Sequence, residues 1–118
     1  MSERKEPRSI NKIGNTLLVK IPSDTNDEEI EILQNVVLKY LGNYEINGVI
    51  MDISQVEVVD SFFARTIAET TQMIDLMGFK TVVTGMKPSI AITTIELGFN
   101  LGNVLFSLNI DKGLELLG

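Results

Sequence analysis

Two short apolar segments joined by an amphipathic stretch constrain the fold of this chain more than any other feature. Residues 48–53 (GVIMDI) and 79–84 (FKTVVT) are apolar, β-branched runs of strand length. Such runs are typical of strands that are buried on both faces of a sheet. Residues 61–77, which lie between them, predict a helix because apolar side chains recur at spacings of three and four. The predicted buried face of this helix consists of Phe63, Ile67, Thr70, Ile74 and Met77.

The N-terminal third predicts two strands and a helix. Residues 9–21 have strand character on both sides of a turn at Gly14-Asn15. The helix should follow the capping residues 23–27 and run to about Leu41, with Gly42-Asn43 as its C-cap. Its predicted buried face consists of Ile30, Leu33, Val37 and Leu41.

The C-terminal part repeats the alternation of helix and strand. Pro88 suits the first turn of a helix that ends near Leu97, and residues 104–108 and 110–117 predict a short strand and a last helix. Alternation of strands and helices implies crossover connections. We therefore expect one α/β domain over residues 9–118, preceded by a flexible arm at residues 1–8. Its sheet should be mostly parallel, with about five strands and about four helices packed against it.

The amino-acid composition limits the classes of function that this chain can have. The 118 residues contain no His and no Cys, which removes the commonest general base and the strongest nucleophile. A net charge of −6 is unfavourable for binding nucleic acid, and no apolar run reaches the length of a membrane span. The charged N-terminus lacks a following apolar signal segment. These features predict a cytoplasmic protein that is not an enzyme, has no cofactor or metal, and acts through protein partners rather than nucleic acid or membranes.

The segment that follows the first apolar run, residues 48–64 (GVIMDISQVEVVDSFFA), carries the most functional information. In this segment Asp52 lies at the end of a predicted strand, and Asp60 and Ser61 lie at the start of a predicted helix. Backbone N–H groups are unpaired at a helix start, so a phosphate on Ser61 would be accommodated there without melting the helix. Ser and Asp are also common helix caps, so a purely structural role for Ser61 or Asp60 remains open on local chemistry.

The sequence resembles the STAS family, which includes the anti-sigma-factor antagonists of bacterial stress and sporulation control. Three stretches carry the resemblance: VIMDISQVEVVDSFFA, LMGFKTVVTGMKPSIAITTIELGF, and the closing strand and helix, so that it covers residues 10–117. In the family, a strand followed by Asp-Ile, a loop and Val-Asp-Ser marks the phosphoacceptor. The resemblance therefore implies that Ser61 is the main phosphorylation site, with Asp52, Asp60 and Phe62 as its surroundings or as partner-binding residues.

Within the family, the motif sequences most resemble those of the stressosome scaffold antagonists, and this resemblance implies a set of partners. The chain would assemble with paralogous STAS sensor proteins into a large complex that sequesters a serine/threonine switch kinase. Phosphorylation of Ser61 would release the kinase and lead to sigma-factor activation, and a cognate phosphatase would reset the site. A homo-oligomer is also expected, with Phe62 as an exposed apolar candidate for the contact.

Several alternatives remain at this point. Thr93 and Thr94 align with a second phosphorylated threonine of the sensor paralogues and are further candidate sites. The chain could instead bind an anti-sigma kinase one to one, or be a STAS module without phosphorylation. A remote alternative is a response-regulator receiver, with Asp52 as phosphoacceptor beside Thr84 and Lys87-Pro88, although the start of the chain lacks the required acidic pair.

Overall fold

The computed structural model describes residues 9–118, in which five strands and four helices follow one another. The predicted arm, residues 1–8, lies outside the described residues. The strands are β1 (Ile10–Ile13), β2 (Thr16–Lys20), β3 (Gly48–Asp52), β4 (Thr81–Thr84) and β5 (Leu105–Ser107). The helices are α1 (Asp27–Asn43), α2 (Ser61–Leu76), α3 (Pro88–Glu96) and α4 (Ile110–Leu117). The predicted α/β class, with its mostly parallel sheet, is confirmed.

The five strands form one sheet in the order in which they occur along the chain. β1 and β2 are antiparallel, whereas β2, β3, β4 and β5 run parallel to one another. The register aligns the carboxyl ends of the parallel strands, so that Lys20, Asp52, Thr84 and Ser107 lie side by side. Polar side chains are thereby gathered at the edge of the sheet from which the loops to α2 and α3 depart.

Helices cover both faces of the sheet. On one face, α1 and α2 pack against alternate residues of the central strands, among them Leu17, Val49, Met51 and Val83. On the other face, Leu18, Ile50 and Val82 pack against α4, which contributes Ile110, Leu114 and Leu117. The alternation of side chains along each strand explains why these strands are apolar at successive positions. Among the described residues, no helix is both long and apolar enough to cross a membrane.

The helix α1 begins with a capping box at Asn26. The Asn26 side chain accepts a hydrogen bond from the Glu29 N–H at 2.8 Å, and the Glu29 carboxylate accepts one from the Asn26 N–H at 2.9 Å. The predicted face of Ile30, Leu33, Val37 and Leu41 is buried. The expected C-cap at Gly42-Asn43 is wrong, because both residues belong to the last turn and the cap is Tyr44.

The helix α2 differs from its predicted packing at its C-terminal end. Ile67, Thr70 and Ile74 are buried as expected, but Met77 is 42% exposed because it lies beyond the helix as its C-cap. Thr71, which the apolar pattern omits, is buried and donates a hydrogen bond to the Leu101 carbonyl at 2.8 Å. A threonine can be buried there because its hydroxyl finds acceptors.

Candidate phosphorylation site

The loop between β3 and α2, residues 53–60, is anchored to the core by three apolar side chains. Ile53, Val56 and Val59 are buried, while the residues between them face solvent. The Ile53 N–H donates to the Thr84 carbonyl at 3.0 Å, and the Val56 N–H closes a turn onto the Ile53 carbonyl at 3.0 Å. The loop therefore delivers the start of α2 to a defined place at the carboxyl edge of the sheet.

Asp60 is the N-cap of α2. Its backbone is extended, with φ of −103° and ψ of 177°. Its Oδ1 atom accepts a hydrogen bond from the Phe63 N–H at 2.8 Å, and its carbonyl accepts one from the Ala64 N–H at 3.0 Å. Of the two residues that could have capped this helix, the structure assigns the role to Asp60.

Ser61 is the first residue of α2, and its side chain is exposed. Within residues 9–118, its hydroxyl forms no hydrogen bond. The N–H groups of Ser61 and Phe62 precede the first intrahelical bond and belong to the donors that a helix start leaves open. An unbonded hydroxyl on the surface beside such donors is a group that a kinase can reach and whose phosphate the backbone can accept.

Asp52 lies at the base of the loop rather than at the surface. It is only 9% exposed, and its Oδ1 atom accepts hydrogen bonds from the Ser54 N–H at 3.0 Å and the Thr84 hydroxyl at 3.2 Å. These bonds join the ends of two strands to the first turn of the loop. Asp52 thus shapes the segment that carries Ser61.

Gly85, which directly follows β4, forms a second connection at this edge of the sheet. Its φ is +76°, and a Cβ atom built on it would lie 2.6 Å from the Ser54 Cβ and 2.9 Å from the Ser54 Cα. A side chain at residue 85 would therefore displace the loop, because two backbone segments meet there.

Phe62 and the two candidate threonines are half-buried. Phe62, expected as an exposed candidate for a contact between copies, packs partly against the core, so only part of its ring is exposed. Thr93 and Thr94 are half-buried, and their hydroxyls donate to the carbonyls of Ser89 at 2.9 Å and Ile90 at 2.8 Å. The structure thus places these threonine hydroxyls on their own helix, whereas the Ser61 hydroxyl is open.

The side chains that suggested a receiver make contacts within the chain, and the strand order decides against that function. Lys87 forms an exposed ion pair with Glu57 at 3.3 Å, while Asp52 is bonded to Thr84 and Ser54. The sheet follows sequence order, whereas receivers place the second strand at the edge before the first. The fold excludes the receiver alternative. Residues 9–118 also contain no cluster of three acidic side chains that could hold a metal ion.

A small apolar cavity of about 20 Å³ lies behind the start of α2. Side chains from the loop, α2, β4 and α3 line it, among them Phe63, Ile90 and Thr94. This volume holds little more than one water molecule, so the cavity is a packing defect of the core rather than a ligand site.

Comparison with known proteins identifies the family. The STAS domain family model matches residues 8–115, and the chain belongs to this family. A solved structure of RsbS from Moorella thermoacetica, carrying one serine-to-glutamate substitution, is 34% identical. The match covers 94% of this chain and 95% of that one, with a TM-score of 0.85. A structure of the stressosome, described as a signal integration and transduction hub, matches at 34% identity over 92% of this chain and 94% of its own, with a TM-score of 0.82.

The curated relatives are longer proteins. The RsbT co-antagonist protein RsbRA of Bacillus subtilis strain 168 is 33% identical over 86 residues, which is 73% of this chain and 30% of that protein. The co-antagonist RsbRB of the same organism is 25% identical over 100 residues, or 85% of this chain and 36% of that protein. This chain therefore spans about a third of the length of the curated relatives that it matches. The resemblance to stressosome proteins that the sequence motifs suggested is confirmed.

Proposed function

We propose that this chain is a phosphorylation-switched scaffold of a stressosome. In its unmodified form it would sequester a serine/threonine kinase, and phosphorylation of Ser61 would release that kinase to activate stress signalling through a sigma factor. A cognate phosphatase would reset the site. The observation that carries the proposal is the exposed, unbonded Ser61 hydroxyl at the start of α2, in a chain that resembles RsbS over nearly its whole length.

The surroundings of Ser61 suit a reversible charge switch. A phosphate would add about 1.5 to 2 negative charges beside the exposed Asp60 carboxylate. The cap hydrogen bond belongs to Asp60, so modification of Ser61 would leave it in place. Phosphorylation would therefore change the charge of the surface while preserving the helix, and a docked kinase would experience that change directly.

The serine-to-glutamate substitution in the solved RsbS structure fits this kind of switch. Glutamate puts a fixed negative charge where an uncharged hydroxyl stood. That variant keeps the same fold as this chain, with a TM-score of 0.85. Added charge on a serine of such a domain is thus compatible with an intact fold, which a surface switch requires.

Exposed apolar side chains support assembly with other STAS proteins. On α3, Ile92 and Ile95 are 57% and 77% exposed. On the edge strand β5, Phe106 is 55% exposed, and Leu108 beyond it is 86% exposed. Exposed apolar side chains together with an unpaired strand edge are typical of protein contacts. We propose that these surfaces join the chain to copies of itself and to paralogous sensor proteins in a large cytoplasmic complex.

The chain would act in this complex without catalysing a reaction, because the kinase would bind ATP, transfer its terminal phosphoryl group to Ser61 and release ADP. The test is incubation of the purified protein with the switch kinase of the same genome and ATP, followed by peptide mass spectrometry. Ser61→Ala is the direct control, and Ser54→Ala, at another exposed serine of the same segment, is the matched one. Phosphate should appear on Ser61 and disappear only in Ser61→Ala.

Phosphate on other residues, or none with a kinase that is active on a second substrate, would contradict the switch. The mass of the protein mixed with its paralogues tests the scaffold separately. A very large complex supports the scaffold, whereas a small one-to-one complex with a kinase would assign the chain to the simple anti-sigma-factor antagonists.

A further inference from the structure

Arg65 lies one helical turn after Ser61, and its only described partner is an aromatic ring. Its side chain is exposed, and its guanidinium carbon lies 6.0 Å from the centre of the Phe99 ring. Within residues 9–118, no carboxylate forms an ion pair with it. Arg65 is therefore a cation near the candidate phosphorylation site that is not already neutralised by a salt bridge.

Helix geometry brings Arg65 within reach of a phosphate on Ser61. Residues four apart on a helix have Cβ atoms about 5–6 Å from each other. Helical side chains also lean toward the N-terminus, which directs Arg65 back over the first turn. An anion that precedes a cation by four residues is the favourable order for such pairs. Phosphoserine at residue 61 and Arg65 satisfy all three conditions.

We propose that Arg65 binds the phosphate of phosphorylated Ser61 and, in doing so, leaves Phe99. This rests on the proposed modification of Ser61. A guanidinium can donate two parallel hydrogen bonds to phosphate oxygens, and such charged bonds are stronger than an exposed contact between a cation and a ring. Arg65 would therefore bind the phosphate in preference to the Phe99 ring.

Phe99 belongs to the segment between α3 and β5, which is fastened to α2 by other contacts. The Thr71 hydroxyl donates to the Leu101 carbonyl at 2.8 Å, and the Gln72 amide donates to the Asn100 carbonyl at 3.2 Å. The loss of Arg65 would leave these bonds in place. Phosphorylation would thus uncover one face of the half-buried Phe99 ring without unfolding the segment, and would alter a second patch of surface along with Ser61.

Other charged groups near the site would affect the phosphate less specifically. Asp60 precedes Ser61, and Glu69 lies one turn beyond Arg65, so both carboxylates would raise the second pKa of the phosphate. Lys87 is a cation on the loop before α3, but it is already paired with Glu57. Arg65 is the group expected to lower this pKa.

The test uses protein in which phosphoserine is placed at residue 61 during translation, so that no kinase is needed. The second pKa of the phosphate is measured by ³¹P NMR titration in the otherwise unaltered chain and in Arg65→Gln. Loss of the cation should raise this pKa by about 0.3 of a pH unit or more. Lys80→Gln, which removes the same charge from the exposed residue before β4, should leave it unchanged, and Arg65→Lys should restore part of the effect.

The ring signals of Phe99 provide the second measurement. They should shift when Ser61 is phosphorylated, and Arg65→Gln should produce a similar shift without phosphate. The proposal would be overturned if the phosphate had the same pKa in the parent chain and in Arg65→Gln, or if Lys80→Gln raised this pKa by as much as Arg65→Gln. It would also be overturned if the Phe99 signals did not change when Ser61 is phosphorylated. Because the phosphate is installed without a kinase, failure of a kinase to modify Ser61 would refute the proposed function and leave this result standing on its own.

Discussion

The Thr84 hydroxyl donates a hydrogen bond to the Asp52 carboxylate at 3.2 Å, across the adjoining ends of β4 and β3. Thr84 is fully buried, and the same carboxylate oxygen accepts the Ser54 N–H at 3.0 Å. One buried acceptor thereby joins two strands and the first turn of the loop that leads to Ser61. The position of the candidate site depends on a polar contact inside the sheet, away from the exposed Ser61.

The two threonines of β4 should differ in their response to substitution by valine. Thr84→Val removes a donor from the buried Asp52 and should lower the free energy of unfolding by about 1 to 3 kcal/mol. The Thr81 hydroxyl is buried and has no hydrogen-bond partner among the described residues. Thr81→Val should therefore leave stability unchanged or raise it by up to about 1 kcal/mol. Urea denaturation of the two variants measures both effects, and an equal loss in each would refute the role given to Asp52.

Asp60 and Ser61, although adjacent, should differ in their effect on stability. Asp60→Ala removes the side chain that caps α2 and should cost about 1 kcal/mol of unfolding free energy. Ser61→Ala removes an exposed hydroxyl without a described partner and should change it by less than about 0.5 kcal/mol. Thermal and urea unfolding of both variants provide the comparison. A loss in Ser61→Ala as large as that in Asp60→Ala would mean that Ser61 has a structural role after all.

Two glycines offer a matched test of the contact between the loops. Gly42 lies in the last turn of α1 with open space around it, so Gly42→Ala should stabilise the protein by up to about 1 kcal/mol. Gly85 has a φ of +76° and faces the Ser54 backbone, so Gly85→Ala should destabilise it by about 1 to 3 kcal/mol. The midpoint of urea unfolding in each variant, at an unchanged dependence of unfolding free energy on urea concentration, measures both effects. A neutral Gly85→Ala would show that the loop before Ser61 can move aside freely.

The sequence predicted the order of the elements well because strong local patterns marked them. α4 begins and ends as expected, and α2 starts at the predicted Ser61, where Asp60 is a favourable cap. The apolar face of α1 was also predicted correctly. The end of α1 was predicted wrongly, because Gly42 is tolerated in the last turn when nothing requires a positive φ there.

The details of the candidate site could be predicted only in part. The motif located Ser61, Asp60 and Asp52, since all three are close in sequence to one strand and one helix. It could not show that Asp52 bonds to Thr84, or that Arg65 lies against Phe99, because each pair joins residues about 30 or more positions apart. Such contacts depend on the register of the sheet and on the path of the α3–β5 connection, which no local pattern encodes.

Assembly should depend on apolar side chains that contribute little to the fold. Ile95→Asp and Phe106→Asp place a charge on exposed positions of α3 and β5, so the isolated chain should stay folded while its complex with paralogous STAS proteins weakens at least tenfold. Leu76→Asp, at an 86% exposed position at the end of α2, is the matched control and should assemble normally. Light scattering of the mixed proteins gives the size of the complex, and circular dichroism confirms folding. Undiminished assembly of both variants would remove α3 and β5 from the contact surface. The same loss in Leu76→Asp would show that added charge alone, and not its position, prevents assembly.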